Sequence, residues 1–263
     1  VHCGSVLEGK SEGDLMTTNK MVAAPIQYHQ SRHTDSAGIR SPDLLARWPW
    51  IGLLMFLVGG LAFGALFYNL RSQGPLLQWD RTLATVLPAI GLQNPATLKP
   101  LMDAGYYLGG WGVIILGILF GIYFIVKRYW QELAMVAIGM AGETLLFEAL
   151  SNLIGRARPP TQIWIILKIP GFPSGHTMAA VTFFGLLAYL LAPKMRSAFG
   201  KVFVVGLAIL IMLFIGFTRV FTAAHYFTDV LAGYAMGIAW SGVVYTLVER
   251  YFIKRKVKNV NKE

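Results

Sequence analysis

Six stretches of this chain carry few or no charges and are long enough, at roughly 17 to 25 residues, to cross about 30 Å of hydrocarbon as helix. They are Trp48–Leu70, Ala104–Val126, Leu133–Leu150, Gly175–Ala192, Val202–Thr218 and Val230–Val248. The third carries Glu143 and Glu148, and the fifth is short, so both rest partly on the spacing of their neighbours. Trp48, Trp50, Tyr68, Tyr106, Tyr107, Trp111, Tyr129 and Trp130 cluster near the expected ends, as an interfacial aromatic belt does. Between the first two spans, residues 75–92 repeat Leu76, Leu77, Trp79, Leu83, Val86, Leu87 and Ile90 at helical spacing, which predicts a short amphipathic helix on the membrane interface. The pattern predicts an all-α fold: a six-helix transmembrane bundle with that interfacial helix between helices 1 and 2.

Composition narrows the class. Only 14% of the 263 residues are charged and 55% are hydrophobic, too little polar surface to coat a water-soluble globule. Seven Trp, sixteen Phe and eleven Tyr equally exclude disorder as the main state. The single cysteine, Cys3, removes an intrachain disulfide framework and any Cys-based zinc site. The net charge of +10 reads first as loop orientation. Counted from Arg40 onward, thirteen Lys and Arg fall on one side of the six spans and seven on the other, which predicts both termini in the cytoplasm and three outer loops, 71–103, 151–174 and 219–229. Residues 1–46 read as a disordered cytoplasmic tail, 47–250 as the membrane domain, and 251–263 as a basic tail drawn to anionic lipid, with no nucleic-acid partner. The oligomeric state is not encoded in these patterns.

Polar residues of one kind gather in the outer loops. The second reads Gly155-Arg156-Ala157-Arg158-Pro159-Pro160 and then Gly171-Phe172-Pro173-Ser174-Gly175-His176-Thr177; the third holds Thr218-Arg219, His225 and Asp229. Pro173-Ser174 before an apolar run predicts a helix start with Ser174 as N-cap, so that the first free N–H groups, at Gly175 and His176, form an anion site. Gly175 would let an anion approach the backbone where a Cβ obstructs it. His225 and Asp229 stand four apart, so the carboxylate can accept from one imidazole nitrogen and leave the other facing the site. Arg158 and Arg219 supply planar forks that match phosphate oxygens. Glu143 and Glu148 are expected to pair with polar neighbours inside the bundle.

These residues resemble the type 2 phosphatidic acid phosphatases, whose members share Lys-x6-Arg-Pro, Pro-Ser-Gly-His and Ser-Arg-x5-His-x3-Asp. The second motif stands unchanged at Pro173, Ser174, Gly175 and His176; the third is matched by Arg219, His225 and Asp229, with Thr218 for Ser. The first is matched by Arg158-Pro159, but Ser151 occupies the Lys position. The motifs span residues 151 to 229.

The resemblance implies that His225 attacks phosphorus and forms a phosphohistidine, that Asp229 orients it, and that His176 protonates the leaving oxygen. It further implies that Arg158, Arg219, Ser174 and the Gly175 amide hold the phosphate oxygens, with no metal and no other cofactor. Arg156 is a candidate to replace the cation missing at Ser151. The implied activity is that of a membrane lipid phosphatase acting on a polyprenyl diphosphate such as the undecaprenyl carrier, phosphatidylglycerophosphate, phosphatidate or a lipid A phosphate. Its implied partners are the lipid phosphate substrate and membrane lipids. A lipid phosphotransferase and a non-catalytic lipid-phosphate binder or transporter remain as alternatives. The topology is directly testable: with Cys3 replaced, single cysteines at Gln73, Gln162 and Ala223 are expected to label from outside with an impermeant reagent, and those at Gln131, Ser197 and Asn259 only after permeabilisation.

Overall fold

The computed structural model describes residues 50–164 and 166–260. The expected disordered tail, residues 1–46, lies outside the described residues, as do residues 261–263. Among the described residues the chain is helical, without strands: α1 (Trp50–Arg71), α2 (Leu76–Gln93), α3 (Pro95–Tyr107), α4 (Val113–Val126), α5 (Trp130–Ile154), α6 (Gly175–Leu191), α7 (Ala198–Phe221) and α8 (Phe227–Val260). A five-residue π-helical turn, Leu108–Gly112, joins α3 to α4 into one long segment. Six helical segments are long and apolar enough to span a membrane, and α2 is the interfacial helix expected from the pattern.

Several spans run further than their charge-free cores. The second begins at Pro95 instead of Ala104, because Lys99 and Asp103 face each other one turn apart and pair at 2.6 Å. The fifth extends to Phe221 and carries Arg219 fully buried near its end. Helix α8 continues through Val260, beyond the candidate span that ends at Val248, so most of the segment read as a basic tail is helical. Glu143 is buried and accepts a long bond from Thr144 Oγ1 (3.4 Å), whereas Glu148 is exposed on α5 and does not pair inside the bundle.

Helix ends follow local chemistry. Gly155 closes α5 in a left-handed conformation (φ 63°), its N–H donating to Ser151 O at 2.9 Å. Ser197 caps α7, its Oγ accepting from the Gly200 N–H at 3.0 Å.

The packing centres on α8, which lies against α1, α5 and α6. Small residues let the backbones meet, because hydrocarbon offers no hydrophobic gain for helix association and close van der Waals contact must supply it. A Cβ on Gly59 would lie 2.5 Å from Ala235 O, and one on Gly242 would lie 2.5 Å from Gly52 O. On the opposite face of α8, a Cβ on Gly233 would meet Thr177 Oγ1 and Ser174 O, and one on Gly237 would meet Val181 and Met178 O. That approach ties the start of α6 to the start of α8. Phe124, Met135, Leu186, Leu190, Val244 and Tyr245 fill the core at the far end of the bundle. Leu53, Leu57, Ile114, Ile118, Val202 and Leu210 point outward, as lipid-facing residues do. The Gly59 crossing is expected to be intolerant: Gly59→Val loses about 1–3 kcal/mol to overpacking against backbone atoms. Gly60→Ala, where nothing lies within 4 Å, stays near the parent, and melting in detergent reads both.

Candidate active site

Two loops and a helix start meet at one end of the bundle. The α5–α6 connection brings Arg156, Arg158, Gly171 and Ser174, the α7–α8 turn brings His225, and α8 begins with Thr228 and Asp229. The connection is pinned by main-chain bonds: the Gly171 N–H donates to Arg156 O (2.8 Å), the Ser174 N–H to Asp229 O (2.9 Å) and the Ile163 N–H to Thr222 O (3.0 Å). Thr161 Oγ1 donates to Ala84 O, so α2 braces the same loop.

His225 is buried, and its two ring nitrogens have partners that fix its tautomer. Nδ1 stands 2.7 Å from Gly171 O, which only accepts, while Nε2 stands 2.9 Å from Arg158 Nη1, which only donates. The proton is therefore on Nδ1 and the lone pair on Nε2. Burial and the adjacent Arg158 guanidinium hold the conjugate acid well below the usual imidazole range, against the opposing effect of the Gly171 carbonyl. Asp229 Oδ2 is 3.7 Å from Nδ1, too far for a hydrogen bond, and with a neutral ring no ion pair forms. This corrects the expected His225–Asp229 contact: the backbone of Gly171 takes the ring proton, and the carboxylate waits one step behind it.

Asp229 is instead held by the Tyr226 N–H (2.9 Å at Oδ2) and by Arg156 Nη1. Arg156 Nη1 also donates to Thr228 Oγ1 (2.8 Å), and Nη2 donates to Asp80 Oδ2 (2.7 Å). Both terminal nitrogens are thus engaged by protein acceptors, and the guanidinium lies over the Tyr226 ring at 4.3 Å. A cation free to take the place of the missing Lys is not what the geometry offers at Arg156. Ser151, at that Lys position, is buried in the last turn of α5.

Arg158 sits in a cage of carbonyls, with Nε donating to Ile169 O (2.7 Å), Nη1 to Ala224 O (2.5 Å) and Nη2 to Pro170 O (3.2 Å). Burial draws its pKa down from the ordinary arginine value, with Asp229 opposing. Arg219 is 1% exposed, packs its guanidinium over the Tyr106 ring at 4.9 Å and bonds only Thr218 Oγ1 through Nε and Nη2. Its Nη1 has no hydrogen-bond partner in the protein, and neither does Ser174 Oγ. Ser174 has N-cap backbone geometry (φ −76°, ψ 114°), yet its hydroxyl makes no capping bond. Two buried donors without protein acceptors at one end of the bundle are costly unless an anion or water meets them.

His176 is flanked by the Tyr106 ring (centroids 5.2 Å apart) and by the π-helical turn, where a Cβ on Gly110 would lie 3.2 Å from Nε2. Arg219, His225 and Arg158 lie near it. At Gly175 a Cβ would meet the Phe147 ring at 3.0 Å, so this glycine is required by helix packing, while its amide stays in the first turn of α6. The fold therefore gathers His176, Arg158, Arg219, Ser174, Gly175, His225 and Asp229 at one end of the bundle and sets Arg156 behind Asp229. Asp80, Tyr106, Thr228 and the Gly171 carbonyl are further members that motif reading missed. Asp80 left a signal: with Leu77, Ala84, Pro88 and Gly91 it lies on the buried stripe of α2, where a carboxylate demands a partner. Among the described residues no three His, Cys, Asp or Glu side chains converge as metal ligands do.

A basic, buried site with a neutral imidazole, placed at one end of a bundle of six helical segments long and apolar enough to cross a membrane, defines the class: a multi-pass membrane protein. The comparisons place it further. The PAP2 superfamily model matches residues 128–253. Phosphatidylglycerophosphatase B of Bacillus subtilis is 30% identical over 48% of this chain and 61% of its own length; the chain thus spans about three fifths of that relative. A lipid A 1-phosphatase of Rhizobium etli is 28% identical over 66% of this chain and 86% of its length. The crystal structure of a transmembrane PAP2-type phosphatidylglycerolphosphate phosphatase from Bacillus subtilis superposes with a TM-score of 0.62. It covers 76% of this chain and 97% of that one at 24% identity, a likeness of fold.

His225 also predicts a pH response of stability. Its folded pKa lies below the unfolded value of 6.5, so the unfolded chain binds the proton first. The contribution is complete above pH 6.5 and is lost as pH falls below it. Melting in detergent at pH 7.5 and 5.0 is expected to show a loss at the lower pH that shrinks in His225→Asn.

Proposed function

We propose that this protein is a membrane lipid phosphatase that removes a phosphate monoester or diphosphate group from a lipid through a phosphohistidine intermediate. The observation that carries the reading is the pairing of a neutral, single-tautomer His225 with two buried donors, Arg219 Nη1 and Ser174 Oγ, that lack protein acceptors. The family match and the phosphatase names of the relatives support it.

In this mechanism the substrate phosphate enters beside His225 and takes over the Arg158 Nη1 donor from Nε2. Arg158, Arg219, Ser174 and the Gly175 amide hold the non-bridging oxygens, whose charge must be stabilised during in-line transfer. The Nε2 lone pair forms the N–P bond while the P–O bond to the lipid breaks, and that electron pair goes to the lipid oxygen, which takes a proton from His176. As the ring becomes cationic, the Gly171 carbonyl and the Asp229 carboxylate stabilise it from the Nδ1 side. A water then gives its proton to His176 and its oxygen to phosphorus, releasing phosphate and neutral His225. Arg156 serves this step by holding Asp229.

The excess of Lys and Arg on the opposite side supports an extracytoplasmic site at the cell membrane, with both termini in the cytoplasm. A site at the ends of the spans suits a phosphate whose lipid tail stays in the bilayer. A phosphate-release panel over a polyprenyl diphosphate, phosphatidylglycerophosphate, phosphatidate and a lipid A phosphate, each with and without EDTA, tests the reading and selects the substrate. His225→Ala is expected to abolish release with expression near normal, while His176→Ala spares diphosphates more than monoesters, because a phosphate leaving group needs less protonation. Release by His225→Ala at the parental rate overturns the assignment. Transfer of labelled phosphate to an acceptor lipid without release identifies the phosphotransferase instead.

A further inference from the structure

Helix α2 does more than lie on an interface. Its outward residues Trp79, Val86 and Ile90 are exposed and apolar, while its inward stripe carries one charge, Asp80, which is 1% exposed. Asp80 Oδ1 accepts the Thr228 N–H at 2.9 Å, and Oδ2 accepts Thr228 Oγ1 at 2.6 Å and Arg156 Nη2 at 2.7 Å. Thr228 precedes Asp229 in the first turn of α8, and Arg156 grips Asp229 through its other terminal nitrogen. One carboxylate from an interfacial helix therefore fixes both the backbone turn and the guanidinium that set Asp229 behind His225.

We propose that Asp80 is a positioning residue for phosphoryl transfer: it divides the Arg156 guanidinium between two carboxylates, keeps it off the phosphate, and thereby holds Asp229 where it supports His225. The proposal rests on the lipid-phosphatase reading of the same site. Its logic is one of charge. Arg156, Arg158 and Arg219 face Asp80 and Asp229 around the neutral His225 ring, an excess of one cation before the proton that His176 carries as general acid is counted. Without the Asp80 charge, Arg156 has one carboxylate to serve and a free Nη2. Asp229 is then drawn fully onto Arg156 and away from the ring, while the phosphate gains a cation. Positioning of His225 suffers, whereas affinity for a ground-state anion does not.

The test compares Asp80→Asn, Arg156→Ala and the double variant with the parent and with His225→Ala, in full-length protein in detergent–lipid micelles. Orthovanadate, which bonds to a positioned imidazole in a trigonal-bipyramidal geometry, reports on the nucleophile, and inorganic phosphate reports on anion binding alone. Asp80→Asn is expected to lower kcat and weaken orthovanadate inhibition about tenfold to a hundredfold, the cost of misplacing a reacting group by about an ångström. Inhibition by phosphate is expected to stay equal or tighten, a split that partial unfolding does not produce. In the Arg156→Ala background the same substitution is expected to cost nothing further, because Asp80 acts through Arg156. If Asp80→Asn does not fold, Thr228→Val removes one of its donors without removing a charge and is expected to move orthovanadate inhibition in the same direction. Parental orthovanadate inhibition in whichever variant folds, equal weakening of both inhibitors, or a full additional loss in the double variant overturns the inference. If His225→Ala is inactive in the same assay, the lipid-phosphatase reading survives that failure. If His225→Ala retains parental release, the reading fails and the inference with it.

Discussion

Burying a carboxylate in an apolar bundle costs several kcal/mol unless a cation and hydrogen-bond donors meet it, and everything at this site follows from how Asp229 is met. Arg156 supplies the cation and the Tyr226 N–H a donor. Arg156 in turn needs a second acceptor for its other nitrogen, which Asp80 provides from α2. A lone buried charge is thus resolved by a chain of alternating charges that ties together the α5–α6 loop, the start of α8 and the interfacial helix. Burial and the adjacent Arg158 guanidinium leave His225, beside this chain, uncharged, with its lone pair held on Nε2 by Arg158.

The bundle makes that chain geometrically possible. Glycines at 233 and 237 let α8 touch α6, so Ser174, at the start of one, hydrogen-bonds Asp229, at the start of the other. Gly105 does the same for α3 and α7, where a Cβ would strike Thr218, and so brings Tyr106 over Arg219 and beside His176. Small residues in the spans therefore decide how tightly the polar ends converge. The π-helical turn after Tyr107 places Gly109 and Gly110 alongside His176.

Motif spacing singled out Arg158, Ser174, His176, Arg219, His225 and Asp229, which the fold brings to one end of the bundle, because each sits at a loop or helix end on the same side of the alternating spans. Two inferences from local geometry came out differently. The i, i+4 spacing of His225 and Asp229 suggested a direct hydrogen bond, but His225 precedes α8 in a turn, so helical spacing did not apply and Gly171 O stands closer. Gly175 suggested room for an anion, but Phe147 of α5, distant in sequence, fills that room. Charge-free windows placed all six spans and cut several short, since paired or buried charges such as Lys99 with Asp103 and Arg219 belong to the helices they end.

Hydrophobic periodicity by itself determined the six spans, the helix between the first two, and the loops at whose ends the candidate residues lie. These are properties of segments, set by the length of hydrocarbon to be crossed and by the cost of charge within it. Only the tertiary structure decided which nitrogen of His225 keeps its proton, that Arg156 faces carboxylates instead of open space, and that Asp80 belongs to the site. Those outcomes depend on distances between side chains on three different helices and two loops, and spacing along one segment carries no record of its neighbours in the others.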